Sequence, residues 1–170
     1  MMRNLRLALL LVVSVAATML FAASPVAANS ISVFGTIHGG GMATMTDGMG
    51  VSSFGFQVTL FSDGSARGRF DCVDHMGDAP GYPGNIFGQI TSWSKNADGT
   101  ISLYVTDGKL VAIPGGPVVS SGLPFTVTIQ QFGGAGVGHW TLDVPGFPSP
   151  TGGPICVELL LSGQIAVHWN

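Results

Sequence analysis

Apolar and polar residues alternate along much of this chain after residue 30, which is the pattern of β-strands buried on one face. The alternation is clearest over 54–60 and 66–72, two runs separated by a short segment rich in turn residues. Opposite residues of an antiparallel pair share a face. A three-residue turn ending in Gly64 is therefore required, because it places Leu60 opposite Ala66, whereas a two-residue turn would place an apolar residue opposite an arginine. The pattern predicts a hairpin with Gly64 in the left-handed conformation.

Two further segments show the same alternation. Residues 125–129 and 140–144 form a second predicted hairpin, joined by the glycine-rich run 133–138. That run has the composition of a phosphate-binding loop, but it precedes a strand and not a helix, so we interpret it as a turn. The last predicted strand covers 157–169, with its odd-numbered residues facing the core and Glu158 facing solvent.

The predicted strands define the fold class. No segment after residue 30 has helical spacing with caps over ten or more residues. About eight to ten strands connected by hairpins and by loops rich in glycine and proline are typical of an antiparallel all-β domain. We expect an antiparallel β-sandwich, with a small closed β-barrel as the alternative.

Residues 1–28 have the three parts of a secretory signal peptide. A basic lead precedes an uncharged apolar run, and a tail of small residues ends in Ala28. We expect cleavage between Ala28 and Asn29, so that 29–170 is a single exported domain. The alternative is an uncleaved membrane anchor, and the lack of a cysteine near the tail argues against a lipoprotein. The predicted location is the periplasm, the cell surface or the medium.

Composition and charge limit the partners of this domain. Charged residues make up 9% of the chain, far below the roughly 25% of ordinary soluble domains, and 26 residues are glycine. Region 29–170 has four basic residues against nine acidic ones, so it lacks the basic patch that binds phosphates, and nucleic acid is not an expected partner. No second apolar stretch reaches the roughly 20 residues of a membrane helix, so membrane contact is expected only through the signal peptide.

The chain contains two cysteines, Cys72 and Cys156. In an oxidising compartment such a pair is expected to form one disulfide, which would connect an early strand to the last one. Closing a loop of that length stabilises the folded state by about 4–5 kcal/mol in the chain-entropy model. The alternatives are free thiols or metal ligands.

The densest polar cluster consists of Asp71, Asp74, His75 and Asp78, which surround Cys72 in the sequence. Carboxylates and imidazoles are ligands for Ca²⁺ or Zn²⁺. The segment lacks the residue order of a calcium loop and has no second ligand pair at zinc spacing. We therefore prefer to interpret it as a solvated acidic loop, with a metal site as the alternative, and expect no cofactor.

Catalytic motifs are missing from the sequence. No G-x-S-x-G turn is present, and none of the histidines has a partner at catalytic spacing. His168 and Glu158 share a predicted strand face, but ten residues of strand separate them by roughly 33 Å. The sequence thus favours a protein without catalytic activity.

Aromatic residues are a second candidate binding feature, since exposed rings can stack on sugars. The alternation places Trp140 and Trp169 on core faces. Tyr82, Trp93 and Tyr104 are therefore the aromatic residues that we expect to be exposed.

Longer stretches resemble a known class of protein. They are GTIHGGG, FGFQVTLFSDGSARGRFDCVDH, ITSW, PFTVTIQQFGGAGVGHWTLDVPG and LLSGQIAVHW, and together they cover most of 35–169. In these stretches the chain resembles small secreted β-modules of bacteria, the accessory type found after anchor domains of surface proteins. The resemblance implies a β-fold and brings no catalytic residue with it.

From these features we expect a secreted or cell-surface structural or binding module without catalytic activity. Its partner would be an extracellular ligand or a cell-surface molecule. One alternative is a small outer-membrane β-barrel, although several predicted strands are shorter than the roughly 9–11 residues that a bilayer crossing needs. The other alternative is a secreted hydrolase or ligand-binding barrel that uses the loop over 71–78.

Overall fold

The computed structural model describes residues 30–46, 50–75, 84–112, 118–146 and 153–170. Nine β-strands lie in these ranges, and Ile31–Asn170 form one unit. The strands are β1 (Val33–Met45), β2 (Val51–Phe61), β3 (Ser65–Asp74), β4 (Gly84–Lys95), β5 (Ile101–Ala112), β6 (Val118–Gln131), β7 (Gly133–Gly134), β8 (His139–Asp143) and β9 (Cys156–Trp169). Among the described residues there is no helix able to span a membrane. The predicted signal peptide, 1–28, lies outside these ranges, so its cleavage stays a prediction.

The strands form a closed barrel. Hydrogen-bonded neighbours follow the order β1-β2-β3-β4-β5-β6-β8-β9, and β9 pairs with β1, so eight antiparallel strands complete the circle. The short β7 adds a further pairing to β9. The all-β antiparallel prediction is confirmed, and the closed barrel, our alternative, is the correct architecture. The predicted sandwich was wrong. Alternation shows only that one face of each strand is buried, and because this holds for sandwiches and barrels alike, the pattern could not distinguish them.

Glycines allow the first and last strands to meet. A Cβ on Gly163 would overlap the carbonyl oxygen of Gly40. On the facing strand, a Cβ on Gly41 would overlap the carbonyl oxygen of Ser162. Gly163 also has a φ of 83°, a left-handed conformation that glycine adopts without steric cost. The circle therefore closes at a point where the two backbones approach more closely than side chains would permit.

The two predicted hairpins are present in the predicted registers. In the first, Leu60 lies opposite Ala66 and Gly64 has a φ of 83°. In the second, Ile129 lies opposite Trp140. Both registers bury the apolar members of each pair, which is why the alternation was sufficient to predict them.

Aromatic side chains fill the interior of the barrel. The ring of Phe70 lies 5.5 Å from that of Trp140 and 5.8 Å from that of Phe125, in edge-to-face contacts. The Phe54 ring lies 5.5 Å from Trp140. An eight-stranded barrel has an interior just wide enough to be filled by side chains. This interior is a packed core.

The first half of β9 faces the opposite way from the prediction. Glu158 is 2% exposed and Leu160 is buried, whereas Leu161 is 50% exposed. The pairing with β1 shifts between Met42 and Ala43, which lie opposite Ser162 and Leu160, so Leu161 is an extra residue on β9. Such a bulge reverses the facing of the residues on one side of it. Strict alternation over 157–169 could not reveal this reversal.

Candidate functional site

The two cysteines are not bonded to each other, so the predicted disulfide is wrong. Cys72 lies on β3 and Cys156 on β9, and β2 and β1 stand between these strands in the barrel wall. β3 and β9 are therefore not neighbouring strands, and the two thiols are separated by the interior of the barrel, although a thiolate at Cys156 is near enough to raise the pKa of Cys72. Spacing in the sequence carried no information on this separation.

Both thiols are held in their protonated form. Burial raises the pKa of Cys72 well above its usual value, and it raises the pKa of Cys156 to about 12. A negative charge on Cys156 raises the pKa of Cys72 further, and the carboxylates of Glu158 and Asp74 raise both pKa values, because a second negative charge nearby is unfavourable. This cluster of four groups therefore lacks the thiolate that nucleophilic or metal chemistry needs.

The predicted acidic cluster is distributed over both faces of β3. Asp71 faces outward, 3.7 Å from the guanidinium of Arg69. Asp74, three residues further along the strand, lies on the opposite face, and the Nε2 of His75 is 2.9 Å from the Oγ of Ser53. No group of three His, Cys, Asp or Glu side chains in the described part of the chain is able to hold a metal ion. Asp78 lies outside the described residues, so the complete four-residue set stays a prediction.

The glycine-rich run 133–138 forms the turn between β6 and β8, as predicted. The carbonyl oxygen of Gly134 accepts hydrogen bonds from the backbone N–H groups of Val137 and Gly138, at 3.1 and 3.0 Å. Gly136 has a φ of 80°. The backbone N–H groups of Val137 and Gly138 are thus used in closing the hairpin, and that of Gly136 donates to the carbonyl oxygen of Leu160 on β9.

Three aromatic rings cluster at one end of the barrel, and we call Phe34, Trp93 and Trp169 the aromatic end. The Phe34 ring lies 5.3 Å from Trp93 and 5.5 Å from Trp169, and the two tryptophan rings are 6.1 Å apart. Phe34 is 46% exposed and Trp169 is 44% exposed. The described residues thus include a cluster of large aromatic side chains that contacts solvent.

Chain topology and two irregularities create the aromatic end. The start of β1 and the ends of β4 and β9 lie at the same end of the barrel, because successive strands run up and down. The β3–β4 and β4–β5 pairings shift register near Ile90, after which Trp93 lies opposite the buried Leu103. A second shift, between Val33 and Gly35, precedes the region where β1 pairs regularly with β2. These bulges could not be read from the sequence.

Polar contacts fix the aromatic end on one side. The indole N–H of Trp93 donates a 3.0 Å hydrogen bond to the carbonyl oxygen of Phe61. The ammonium group of Lys95 lies 5.6 Å from the centre of the Trp169 ring, within cation–π range. A Cβ on Gly35 would contact the Trp169 ring, so the glycine gives that ring its space. The rings are therefore positioned by strands and not by a loop.

Other proteins offer no guide to this surface. No family model matches the chain, no curated protein matches it, and no solved structure matches it. The resemblance to secreted bacterial β-modules therefore stays an expectation from sequence. A proposal for function has to rest on the residues of this chain.

The predicted exposed aromatic set is partly replaced by this cluster. Trp93 belongs to it but is half-buried against the core, and Tyr104 is also half-buried, with its hydroxyl 2.9 Å from the Oγ of Ser94, so neither is exposed as predicted. Tyr82 lies outside the described residues. Trp140 is fully buried, as predicted. Trp169 is on the inner face, as predicted, yet it is exposed because it lies at the end of its strand, where the interior opens.

A second surface feature is an open depression of about 620 Å³, which we call the outer groove. It lies on the wall formed by β1, β2 and β9. Its lining residues are His38, Gly39, Gly40, Phe56, Gln57, Gly163 and Gln164. The glycines at the closure of the barrel leave this space, and the polar lining comes from outward-facing residues of neighbouring strands.

Proposed function

We propose that this protein is a secreted or cell-surface binding module without catalytic activity, and that the aromatic end is its binding surface. The observation that supports the proposal is the cluster of Phe34, Trp93 and Trp169, in which the exposed rings of Phe34 and Trp169 lie against the half-buried Trp93. Tryptophan is among the residues that most often dominate binding energy at interfaces. Because the core is packed, binding is favoured at the surface of the barrel, including its ends, and not within its interior.

We further propose that the ligand is a carbohydrate. The C–H faces of a sugar ring are apolar and weakly positive, and they pack well on the negative faces of aromatic rings. Lys95 beside Trp169 is a hydrogen-bond donor for sugar hydroxyl groups. Because the chain has few charges, such binding would depend on stacking and hydrogen bonds more than on ion pairs.

The polarity of the barrel wall favours this proposal over an outer-membrane barrel. A transmembrane barrel has an outward band of apolar side chains. Here the exposed side chains of β2 and β3 include Gln57, Arg67 and Arg69, whereas most of the buried ones are apolar. The hydrolase alternative is less favoured because Asp71 and Asp74 lie on opposite faces of β3.

The test is a glycan array probed with the protein that a bacterial host releases from the full-length chain. We expect a released product that begins at Asn29 and binds at least one polysaccharide. Trp169→Ala should weaken that binding by about tenfold or more, since a hot-spot residue typically contributes at least about 2 kcal/mol.

Phe132→Ala is the matched control, because Phe132 is also 44% exposed but is not part of the aromatic end. It should retain the wild-type affinity. The carbohydrate proposal fails if the wild-type protein binds no glycan on the array. The assignment of the surface fails if both variants bind as the wild type does, or if both lose the same affinity.

A further inference from the structure

Two histidines that are far apart in the sequence lie side by side on the barrel wall. His38 is on β1 and His168 on β9, and the centres of their rings are 6.4 Å apart. In the register of this pair His38 lies opposite Ala166 and His168 opposite Thr36, so the two histidines are diagonal neighbours on one face. Both side chains are exposed. Closure of the barrel is what brings them together.

The ring separation is close to that of two imidazoles sharing a metal ion. With metal–nitrogen bonds of about 2.0–2.1 Å, two rings on one tetrahedral ion have centres roughly 5 Å apart. The observed 6.4 Å therefore requires the rings to approach by a little more than about 1 Å. Both side chains are exposed, so rotation about their χ angles to other staggered rotamers can move the two rings closer by this distance.

The surroundings leave space for an ion and its remaining ligands. His38 lines the outer groove, where Gly40 and Gly163 have no side chains to occupy the site. Gln57, directly opposite His38, also lines this space. Strands hold both histidines, and a site on regular elements is positioned more accurately than one on loops.

We propose that His38 and His168 form a surface site for a divalent transition metal ion. Imidazole nitrogen is a ligand for copper, nickel and zinc, and the general order of affinities places copper(II) above nickel(II) and zinc(II). The site has two protein ligands, with the other coordination positions open to water or to a bound molecule. It does not depend on the proposed carbohydrate binding.

Nickel(II) is the first probe, because copper(II) also oxidises thiols. Titration calorimetry would use the protein obtained from the full-length chain without a histidine tag. Removing a group that only hydrogen-bonds to a metal ligand lowers metal affinity by about 10–100-fold. Removing a ligand itself should lower the affinity at least as much, so His38→Gln and His168→Gln should each weaken nickel binding by at least about tenfold. The unfolding midpoint of the wild type should rise with nickel, and those of the variants should not.

His75→Gln is the matched control, because His75 is also exposed but lies at the end of β3. It should bind nickel as the wild type does. The copper(II) complex of the wild type should show hyperfine coupling to two imidazole nitrogens by electron paramagnetic resonance. The proposal is overturned if the wild type binds no nickel, if His75→Gln loses as much affinity as the other variants, or if the copper spectrum shows fewer than two nitrogens.

Discussion

At the scale of single residues, the surroundings of the two cysteines determine how reactive their thiols are. Cys72 and Glu158 are buried and Cys156 is half-buried, all near the end of the barrel opposite the aromatic end. Burial raises the pKa of each thiol, since a thiolate would be separated from water and placed near carboxylates. The thiol is a reactive group in an ordinary cysteine, but the position of these two cysteines in the fold makes their thiols unreactive.

We predict that the native protein resists thiol alkylation. At pH 8.5, close to the pKa of an ordinary cysteine, about half of free cysteine is thiolate, whereas Cys156 with a pKa of about 12 is almost entirely thiol. Iodoacetamide should therefore modify both cysteines rapidly in denaturant and neither of them in the folded protein over the same time. Intact mass spectrometry measures the number of added groups, and rapid labelling of folded protein would contradict the raised pKa values of the two thiols.

The same experiment examines the absence of a disulfide. If both thiols are free, the intact mass of the protein is the same before and after reduction. Two labels on unreduced, denatured protein are therefore expected. A protein that accepts labels only after reduction would contradict the unbonded cysteines of the structure.

At the scale of elements, irregularities in the strands decide what reaches the surface. The bulge at Leu161 turns Glu158 inward, and the shift near Ile90 brings Trp93 to the aromatic end. Gly163 lies beside the first of these irregularities and in contact with Gly40. The pairing of β9 with β1 depends on this glycine.

We predict that Gly163→Ala destabilises the barrel more than Gly99→Ala. Both glycines have positive φ, at 83° and 88°, so both substitutions have a backbone cost of about 1–2 kcal/mol. A Cβ at 163 also overlaps the backbone of β1, whereas a Cβ at 99 has no neighbouring atom within 4 Å. Overpacking of this kind adds about 1–3 kcal/mol.

Urea unfolding followed by circular dichroism measures the difference between the two glycine variants. Gly99→Ala serves as the control for backbone strain alone. Equal losses of unfolding free energy would mean that the close approach of β9 to β1 is absent in solution.

At the scale of the whole molecule, the barrel separates a packed interior from an aromatic end. Trp140 is fully buried against Phe54 and Phe70, while Trp169 is nearly half exposed. The first tryptophan therefore serves stability and the second is available for binding. This division is what permits the proposed function on so small a domain.

We predict a stability difference between two tryptophan variants. Trp140→Ala should lower the free energy of unfolding by about 3–5 kcal/mol, because it leaves a large cavity in the core. Trp169→Ala should lower it by about half of that or less, since its exposed part gains little from burial. Urea unfolding measures both values, and a larger loss for Trp169→Ala would contradict its place at the surface.

The sequence by itself determined the local part of this fold. The alternation of apolar and polar residues was sufficient for both hairpins and for the left-handed Gly64, because these features depend on residues close together in the chain. It also indicated that Trp140 is buried. Among the candidate binding residues it singled out Trp93, but as an exposed ring, whereas Trp93 is half-buried against the core.

Only the tertiary structure decided how the strands close and what closure brings together. A sandwich and a barrel bury the same faces, so the pairing of β1 with β9 had no local signal. The reversal of Glu158, the separation of Cys72 from Cys156 and the meeting of His38 with His168 all follow from that pairing or from its bulge. Each depends on contacts between residues more than 80 positions apart, and a period-two pattern carries no information at that distance.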